Sequence, residues 1–121
     1  MGETWAIVGS RGFDDFRLMV ETLEEYMDRT GVVPDRIVSG GAMGADRLAE
    51  RWAALHKRPC SIYRPEWEKY GPRAGAMRNQ LIVNDADRLF AFVRGKSMTP
   101  GTGITVEMAY KKHIPVVIVY D

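Results

Sequence analysis

The chain has 121 residues, of which 45% are hydrophobic and 27% charged, which is the length and composition of one globular domain. Its 17 basic and 16 acidic side chains leave a net charge of +1, which argues against a protein that neutralises many phosphates of a DNA or RNA duplex. The single cysteine, Cys60, excludes an intramolecular disulfide, and the lack of a signal-peptide pattern or a long apolar run predicts a cytoplasmic protein without membrane contact.

The first half of the chain alternates short apolar runs with amphipathic runs. Residues 5–8 are continuously apolar, as in a strand that is buried on both faces. Asp14 is a suitable N-cap for a helix over residues 15–29, which Gly31 ends. Residues 36–39 form a second predicted strand, and a glycine-rich turn leads from it into a second helix. The apolar face predicted for that helix consists of Ala45, Leu48, Ala49, Trp52 and Leu55.

The second half continues the alternation. Residues 60–63 form a short third strand, whose weaker apolar character predicts a sheet edge. Residues 65–75 are predicted to be an irregular loop, because prolines and glycines interrupt them. A third helix over residues 74–84 precedes a continuously apolar fourth strand at residues 88–93. The last predicted elements are a fourth helix and a fifth strand, at residues 103–112 and 114–119.

Five strands that alternate with four helices predict a single Rossmann-like α/β domain over residues 1–121. Right-handed crossovers then produce a five-stranded parallel sheet with helices on both faces. The first and fourth strands have the most buried pattern, which favours the order 3-2-1-4-5. In such sheets a ligand binds beyond the carboxyl ends of the strands, where the strand order reverses. The apolar fifth strand would lie at a sheet edge and favours a homodimer.

The loop after the first strand has the residues of an anion-binding turn. Gly9 permits a tight exit from the strand, the Ser10 hydroxyl can donate to a phosphate oxygen, and the Arg11 guanidinium can bind the same group through two hydrogen bonds. The alternative is a plain turn with a solvated arginine. We therefore predict these three residues as ligand contacts only in combination with the other loops.

Two further loops are rich in small residues and lead into helices, whose unpaired N–H groups attract anions. Asp46, in one of them, either binds a ribose hydroxyl or stabilises the positive end of its helix. The glycine spacing matches neither the dinucleotide fingerprint nor the P-loop, and no residues have metal-ligand spacing, so we predict no cofactor and no metal. The ligand-binding residues predicted in these loops are Ser39, Gly40, Gly41, Ala42, Gly44, Asp46, Gly101, Thr102 and Gly103.

The third and fourth helices carry further candidates. Arg78 and Asn79 follow small residues that leave room for a ligand. Trp67, in the loop before them, either stacks on a base or packs against the core. Glu107 points either at the ligand or at solvent. The two histidines are at predicted helix ends, where a capping role is favoured over a catalytic one.

Four segments resemble, in order and spacing, the YspA-like family of the SLOG superfamily. They are Gly9–Phe13, Val38–Asp46, Ala74–Asn79, and Gly101–Thr102 together with Ala109 and Ile114–Val116. The superfamily includes the Lonely Guy phosphoribohydrolases and the DNA-processing protein DprA. The resemblance implies a Rossmann-like fold and a small-molecule ligand that is a nucleotide or a nucleotide derivative, such as an ADP-ribose-type molecule.

The resemblance to the Lonely Guy enzymes is incomplete at their catalytic motifs. Arg78 matches their helical arginine, but Asn79 stands where they have lysine, and Thr105 stands where they have the catalytic glutamate. Glu107 comes two residues later, about 200° around a helix.

The leading hypothesis is therefore a binding or sensor domain without rapid turnover. The alternative is a nucleoside 5′-monophosphate N-glycosidase, in which Arg78 positions the phosphate or ribose and a carboxylate, Glu107 or Asp46, acts in the reaction. A DprA-like partner of single-stranded DNA is disfavoured by the near-neutral charge.

Overall fold

A computed structural model describes residues 2–121, so Met1 of the predicted domain lies outside the described residues. The strands β1 to β5 are Glu3–Gly9, Pro34–Ser39, Cys60–Ile62, Arg88–Val93 and Val116–Tyr120. They form one sheet in the order β3-β2-β1-β4-β5, and every neighbouring pair is parallel. This confirms the predicted sheet and its strand order.

The helices connect the strands on two faces of the sheet, as the sequence predicts. Helices α1 to α5 are Phe16–Thr30, Ala45–Leu55, Trp67–Tyr70, Ala74–Asp85 and Pro100–Lys112, and a 3₁₀ turn covers Gly71–Arg73. One core cluster joins α1 and α2 to the sheet, and a second joins α4 and α5 to the other face. None of the helices within residues 2–121 is long and apolar enough to cross a membrane.

The strand β1 explains why a continuous apolar run was the correct signal for a central strand. Trp5 and Ile7 pack into the cluster under α1 and α2, whereas Ala6 and Val8 pack into the cluster under α4 and α5. Successive side chains of a strand point to opposite faces, so a strand covered on both sides needs an apolar residue at each position.

Several boundaries predicted between residues 14 and 75 are wrong. The N-cap of α1 is Asp15 and not Asp14, because the Asp15 carboxylate accepts a hydrogen bond from the N–H of Leu18. The predicted irregular loop contains α3 and the 3₁₀ turn, and the N–H of Tyr70 bonds the carbonyl of Glu66. Leu55 is exposed, because it is the last residue of α2.

Two boundaries near the end of the chain also differ from the prediction. Helix α5 begins at Pro100, where proline needs no hydrogen-bond partner for its nitrogen, and Thr99 caps it by accepting from the N–H of Thr102. Gly101 and Thr102, which were predicted to precede the helix, are therefore in its first turn. Strand β5 begins two residues late, because the N–H of Ile114 still bonds the carbonyl of Ala109 in α5.

The carboxyl-terminal ends of α4 and α5 are joined by one side chain. The ammonium group of Lys112, at the end of α5, donates to the carbonyl oxygens of Val83, Asn84 and Ala86, at 2.7–2.8 Å. These oxygens include carbonyls that the end of a helix leaves without an intrahelical partner. Lys112 therefore caps α4 from the neighbouring helix and fastens the two helices together.

Candidate ligand-binding site

A cavity of about 490 Å³ lies at the carboxyl ends of β1 and β4, between the amino-terminal turns of α2, α4 and α5. This volume is in the usual range of small-molecule sites. Strands β1 and β4 are also where the strand order reverses, which is the position expected for a ligand in this class of sheet.

The structure brings most of the predicted ligand-binding residues to this cavity and leaves others outside its wall. The predicted residues that line it are Gly9, Ser10, Arg11, Ala42, Asp46, Arg78, Asn79, Gly101 and Thr102. Those that do not line it are Ser39, Gly40, Gly41, Gly44, Gly103 and Glu107.

The loop after β1 is held against the loop after β4. The N–H of Ser10 donates to the carbonyl of Phe92 at 3.0 Å, and the Ser10 hydroxyl accepts from the N–H of Arg94, also at 3.0 Å. The Arg94 guanidinium donates to the carbonyl of Gly12. These bonds use the Ser10 oxygen as an acceptor, and its hydroxyl hydrogen remains available to a ligand because no described residue accepts it.

The loop after β2 is occupied by a carboxylate of the protein itself. The Asp46 carboxylate accepts from the N–H of Ala42 at 3.1 Å, and the N–H of Gly41 donates to the hydroxyl of Ser39 at 3.3 Å. Burial raises the pKa of Asp46, and the hydrogen bond from Ala42 and the charge of Arg78 oppose this effect. Asp46 therefore supplies the negative charge that an anionic ligand was expected to bring to the start of α2.

The residues of this loop outside the cavity wall shape the turn. Gly44 has φ +75°, and a Cβ there would overlap the carbonyl oxygens of Ser10 and Arg11. Only glycine permits this close approach of the two loops. Ser39 is fully buried and donates to the carbonyl of Asp46 at 3.3 Å. A Cβ on Gly40 would meet the guanidinium of Arg78.

Arg78 reaches back from α4 to the end of β2. Its guanidinium donates to the carbonyl of Gly40 and to the side-chain oxygen of Asn79, each at 2.7 Å. Burial lowers the pKa of Arg78, and the negative charge of Asp46 opposes this. Arg78 thus places its positive charge at the cavity wall beside Asp46 without forming a direct ion pair among the described residues.

The start of α5 adds hydroxyl groups to the cavity. Thr99, Thr102 and Thr105 all line it, and Thr102 and Thr105 are buried. The hydroxyl of Thr105 donates to the carbonyl of Gly101 at 3.0 Å. A Cβ added to Gly101 would have no neighbour within 4 Å, so this part of the wall is open.

The remaining candidates lie away from the cavity wall. Glu107 is exposed on the outer side of α5 beside Gln80 and Lys111, so Asp46 is the one carboxylate among the described lining residues. Trp67 is half exposed and packs near Gly75 at the start of α4. His56 and His113 are the C-caps of α2 and α5, as predicted.

Sequence reasoning missed Arg94 and Ile82, which also line the cavity. Arg94 carried a usable signal, because it directly follows β4 at the carboxyl end of a central strand. Ile82 is buried among the residues under α4 and α5, and its apolar side chain gave no indication of a ligand.

Comparisons with known proteins relate the chain to one family and one fold. The model of the YspA, cpYpsA-related SLOG family matches residues 6–70, which is more than half of the chain. The Gene 61 protein of Mycobacterium phage D29 is 35% identical over 120 residues, covering 92% of this chain and 91% of that protein.

Among solved structures, DNA processing protein A (DprA) from Streptococcus pneumoniae is similar, with a TM-score of 0.54. The similarity covers 98% of this chain at 16% identity, which relates the two by fold. The chain spans 59% of the length of that DprA chain.

Proposed function

Because this chain belongs to the YspA, cpYpsA-related SLOG family, we propose that it binds a nucleotide or a nucleotide derivative, with the phosphate in the cavity between β1, β4 and α5. The observation that carries this proposal is the charge of the cavity wall. Three arginines, Arg11, Arg78 and Arg94, face one carboxylate, Asp46. Guanidinium groups bind phosphate oxygens through paired, charge-assisted hydrogen bonds.

The occupied start of α2 favours a phosphate position elsewhere in the cavity. An anion there would meet the Asp46 carboxylate, which already accepts from the N–H of Ala42. The side of the cavity next to β4 and α5 offers Arg94 and the hydroxyl of Thr102, and Arg11 lies on the loop after β1, which contacts Gly44 at the start of α2. We therefore place the phosphate on that side and the sugar toward Asp46 and Asn79.

The experiment is a thermal-shift panel of nucleoside mono- and diphosphates, ADP-ribose and inorganic phosphate. A single-stranded oligonucleotide is included because the structurally similar DprA is a DNA processing protein. A ligand at about 100 times its dissociation constant adds roughly 2.7 kcal/mol to the free energy of unfolding, which raises the melting temperature measurably. The absence of a shift with every phosphate-bearing compound would contradict the proposal.

The matched variants are Arg94→Met and Arg17→Met, which remove the same charge. Arg94 lines the cavity, whereas Arg17 is exposed on α1 beside Glu21. We expect Arg94→Met to weaken binding of the best ligand about tenfold or more by calorimetry, since a hydrogen bond to a charged group contributes about 1.5–3 kcal/mol. Arg17→Met should bind with the affinity of the unmodified chain. Equal losses in both variants would indicate a general charge effect and not a site.

A second function is favoured by one observation, the buried carboxylate of Asp46 beside Arg78 in the cavity. A carboxylate in this position can activate water or stabilise positive charge on a ribose, as N-glycoside hydrolysis requires. Incubation with nucleoside 5′-monophosphates, followed by chromatography for free base, tests this function. Free base that Asp46→Asn no longer releases would support it, and intact nucleotide after prolonged incubation would exclude it.

A further inference from the structure

The outer side of β5 has backbone groups without partners. The carbonyl of Pro115 accepts from Leu89 and the N–H of Asp121 donates to Val93, so these two flanking residues bond toward β4. Bonding residues alternate along a parallel strand, so every second residue between them points its N–H and C=O away from β4. No strand among the described residues pairs with that side. The outward residues are Val116, Ile118 and Tyr120.

The two edges of the sheet differ in how well they are protected. The other edge, β3, has only three residues. Strand β5 has five, with the sequence Val-Val-Ile-Val-Tyr, and it contains neither a charged residue nor a proline. Its side chains are half-buried on both faces, and Tyr120 is 49% exposed. Natural sheets usually protect an edge with short length, charge, proline or a bulge, and β5 lacks the first three.

We propose that β5 pairs antiparallel with β5 of a second copy of this chain, around a two-fold axis at Ile118. This surface is independent of the proposed ligand site, which lies at the carboxyl ends of the strands. In such a pair the three outward residues of each copy exchange N–H···O bonds with those of the other, and Ile118 faces Ile118. The pairing completes the hydrogen bonds of both edges and buries the half-exposed apolar side chains.

The charges that flank β5 select a second copy in this orientation. Lys111 precedes the strand and Asp121 follows it, whereas the ammonium group of Lys112 is bound to the end of α4. Antiparallel pairing centred on Ile118 places Asp121 opposite Pro115 of the second copy, on the side of that copy's Lys111. A parallel arrangement would bring lysine toward lysine and aspartate toward aspartate. The strand itself carries no charge, so pairing of two identical strands causes no electrostatic repulsion between them.

A register-specific cross-link tests the pairing. In a Cys60→Ser background, Ile118→Cys places two thiols opposite each other, with Cα atoms about 5.5 Å apart in a hydrogen-bonded pair, within the range of a disulfide. The control is Ile62→Cys on β3, which is also partly exposed. Under mild oxidation we expect a cross-linked dimer from Ile118→Cys and not from Ile62→Cys.

Sedimentation equilibrium tests the same proposal by measuring the mass of the protein in solution without a cross-link. We expect the unmodified chain to show twice the monomer mass, and Ile118→Lys to be monomeric because two ammonium groups would face each other. The control Ile62→Lys should remain dimeric. Circular dichroism and thermal unfolding establish whether each variant is folded. If Ile118→Lys is not folded, the cross-link through Ile118→Cys tests the pairing instead.

Two results would overturn the proposal. One is a monomer at every concentration together with no cross-link through residue 118. The other is a dimer that survives Ile118→Lys and is not captured by Ile118→Cys. That dimer would have to use another surface, such as the exposed apolar residues Met77, Leu81 and Ile104 on α4 and α5.

Discussion

The two ends of the sheet use arginine in opposite ways. At the amino end, Arg36 forms an ion pair with Asp85 and Arg88 forms one with Glu3, each with an N···O distance of 2.5 Å. At the carboxyl end, the arginines that line the cavity form no ion pair with a described residue. Arginines of the first kind stabilise the fold, whereas those of the second kind donate to uncharged oxygens and keep their charge unpaired, as the proposed phosphate site requires.

The charged groups at the amino end also form hydrogen bonds with neutral side chains. The hydroxyl of Tyr63 donates to Asp85, and Arg88 donates to the hydroxyl of Tyr26. At the carboxyl end the loops are joined mainly by backbone contacts that glycine permits, such as the approach of Gly44 to Ser10. If the proposed ligand site is correct, stability and binding depend on separate ends of the same sheet, and we expect that each end can be perturbed alone.

The largest expected effect is loss of the backbone contact at the carboxyl end. Gly44→Ala places a methyl group against two carbonyl oxygens at a φ of +75°, so we expect a loss of about 3 kcal/mol or more in the free energy of unfolding. Gly31→Ala is the control, because its φ is +72° but nothing lies within 4 Å of the new Cβ. It should cost about 1 kcal/mol. Urea unfolding measures both, and equal costs would show that the loop contact contributes nothing.

A smaller effect is expected from the amino end. Arg36→Met leaves the partly buried Asp85 without its cation, and we expect a loss of about 2 kcal/mol by urea unfolding, less than for a fully buried pair. Arg29→Met removes an arginine from an exposed pair with Glu25 and should cost less than about 0.5 kcal/mol. If the two variants unfold at the same urea concentration, Arg36 does not stabilise the fold as described.

The same ion pairs predict the direction of acid destabilisation. Hydrogen bonds from Arg36 lower the pKa of Asp85, and those from Arg88 lower the pKa of Glu3. A carboxyl whose pKa is lower in the folded state contributes stability that is complete above its ordinary pKa and is lost as the pH falls below that value. Unfolding measured between neutral pH and pH 3 should show this loss, and Arg36→Met should show a shallower decline. An identical pH profile in both proteins would contradict the role of Asp85.

The smallest effect on stability is expected at the cavity. Arg94→Met removes a hydrogen bond to the carbonyl of Gly12 but leaves no carboxylate unpaired, so the free energy of unfolding should change by about 0.5 kcal/mol or less. Together with weaker ligand binding, this result would separate the two ends of the sheet. A loss as large as that of Arg36→Met would instead make Arg94 a structural residue.

The sequence was sufficient for the sheet and its order because β1 and β4 contain continuous apolar runs, which are typical of adjacent central strands. Residues 88–93 were predicted with their observed bounds, since both faces of β4 are buried. Helix boundaries were less predictable where two adjacent residues were both suitable as the N-cap. Asp14 and Asp15 are equivalent as sequence, and only the turn geometry lets Asp15 reach the N–H of Leu18.

The site was partly predictable for a similar reason. The composition of the loops predicted ligand contacts at the strand ends, and the predicted residues Ser10, Arg78 and Thr102 do line one cavity. The glycine spacing of the loop after β2 did not predict the conformation of that loop. The sequence therefore did not reveal that the Asp46 carboxylate accepts a hydrogen bond from the N–H of Ala42. Arg94 was missed because a single arginine after a strand resembles any solvated side chain.

The lysine that caps α4 from α5 has a mechanical consequence. Both helices start at the cavity and finish at Lys112, whose ammonium group holds three carbonyl oxygens. Separation of α4 and α5 at the cavity would therefore have to occur with their carboxyl-terminal ends still joined. It would also act against the hydrogen bond from Arg78 to the carbonyl of Gly40.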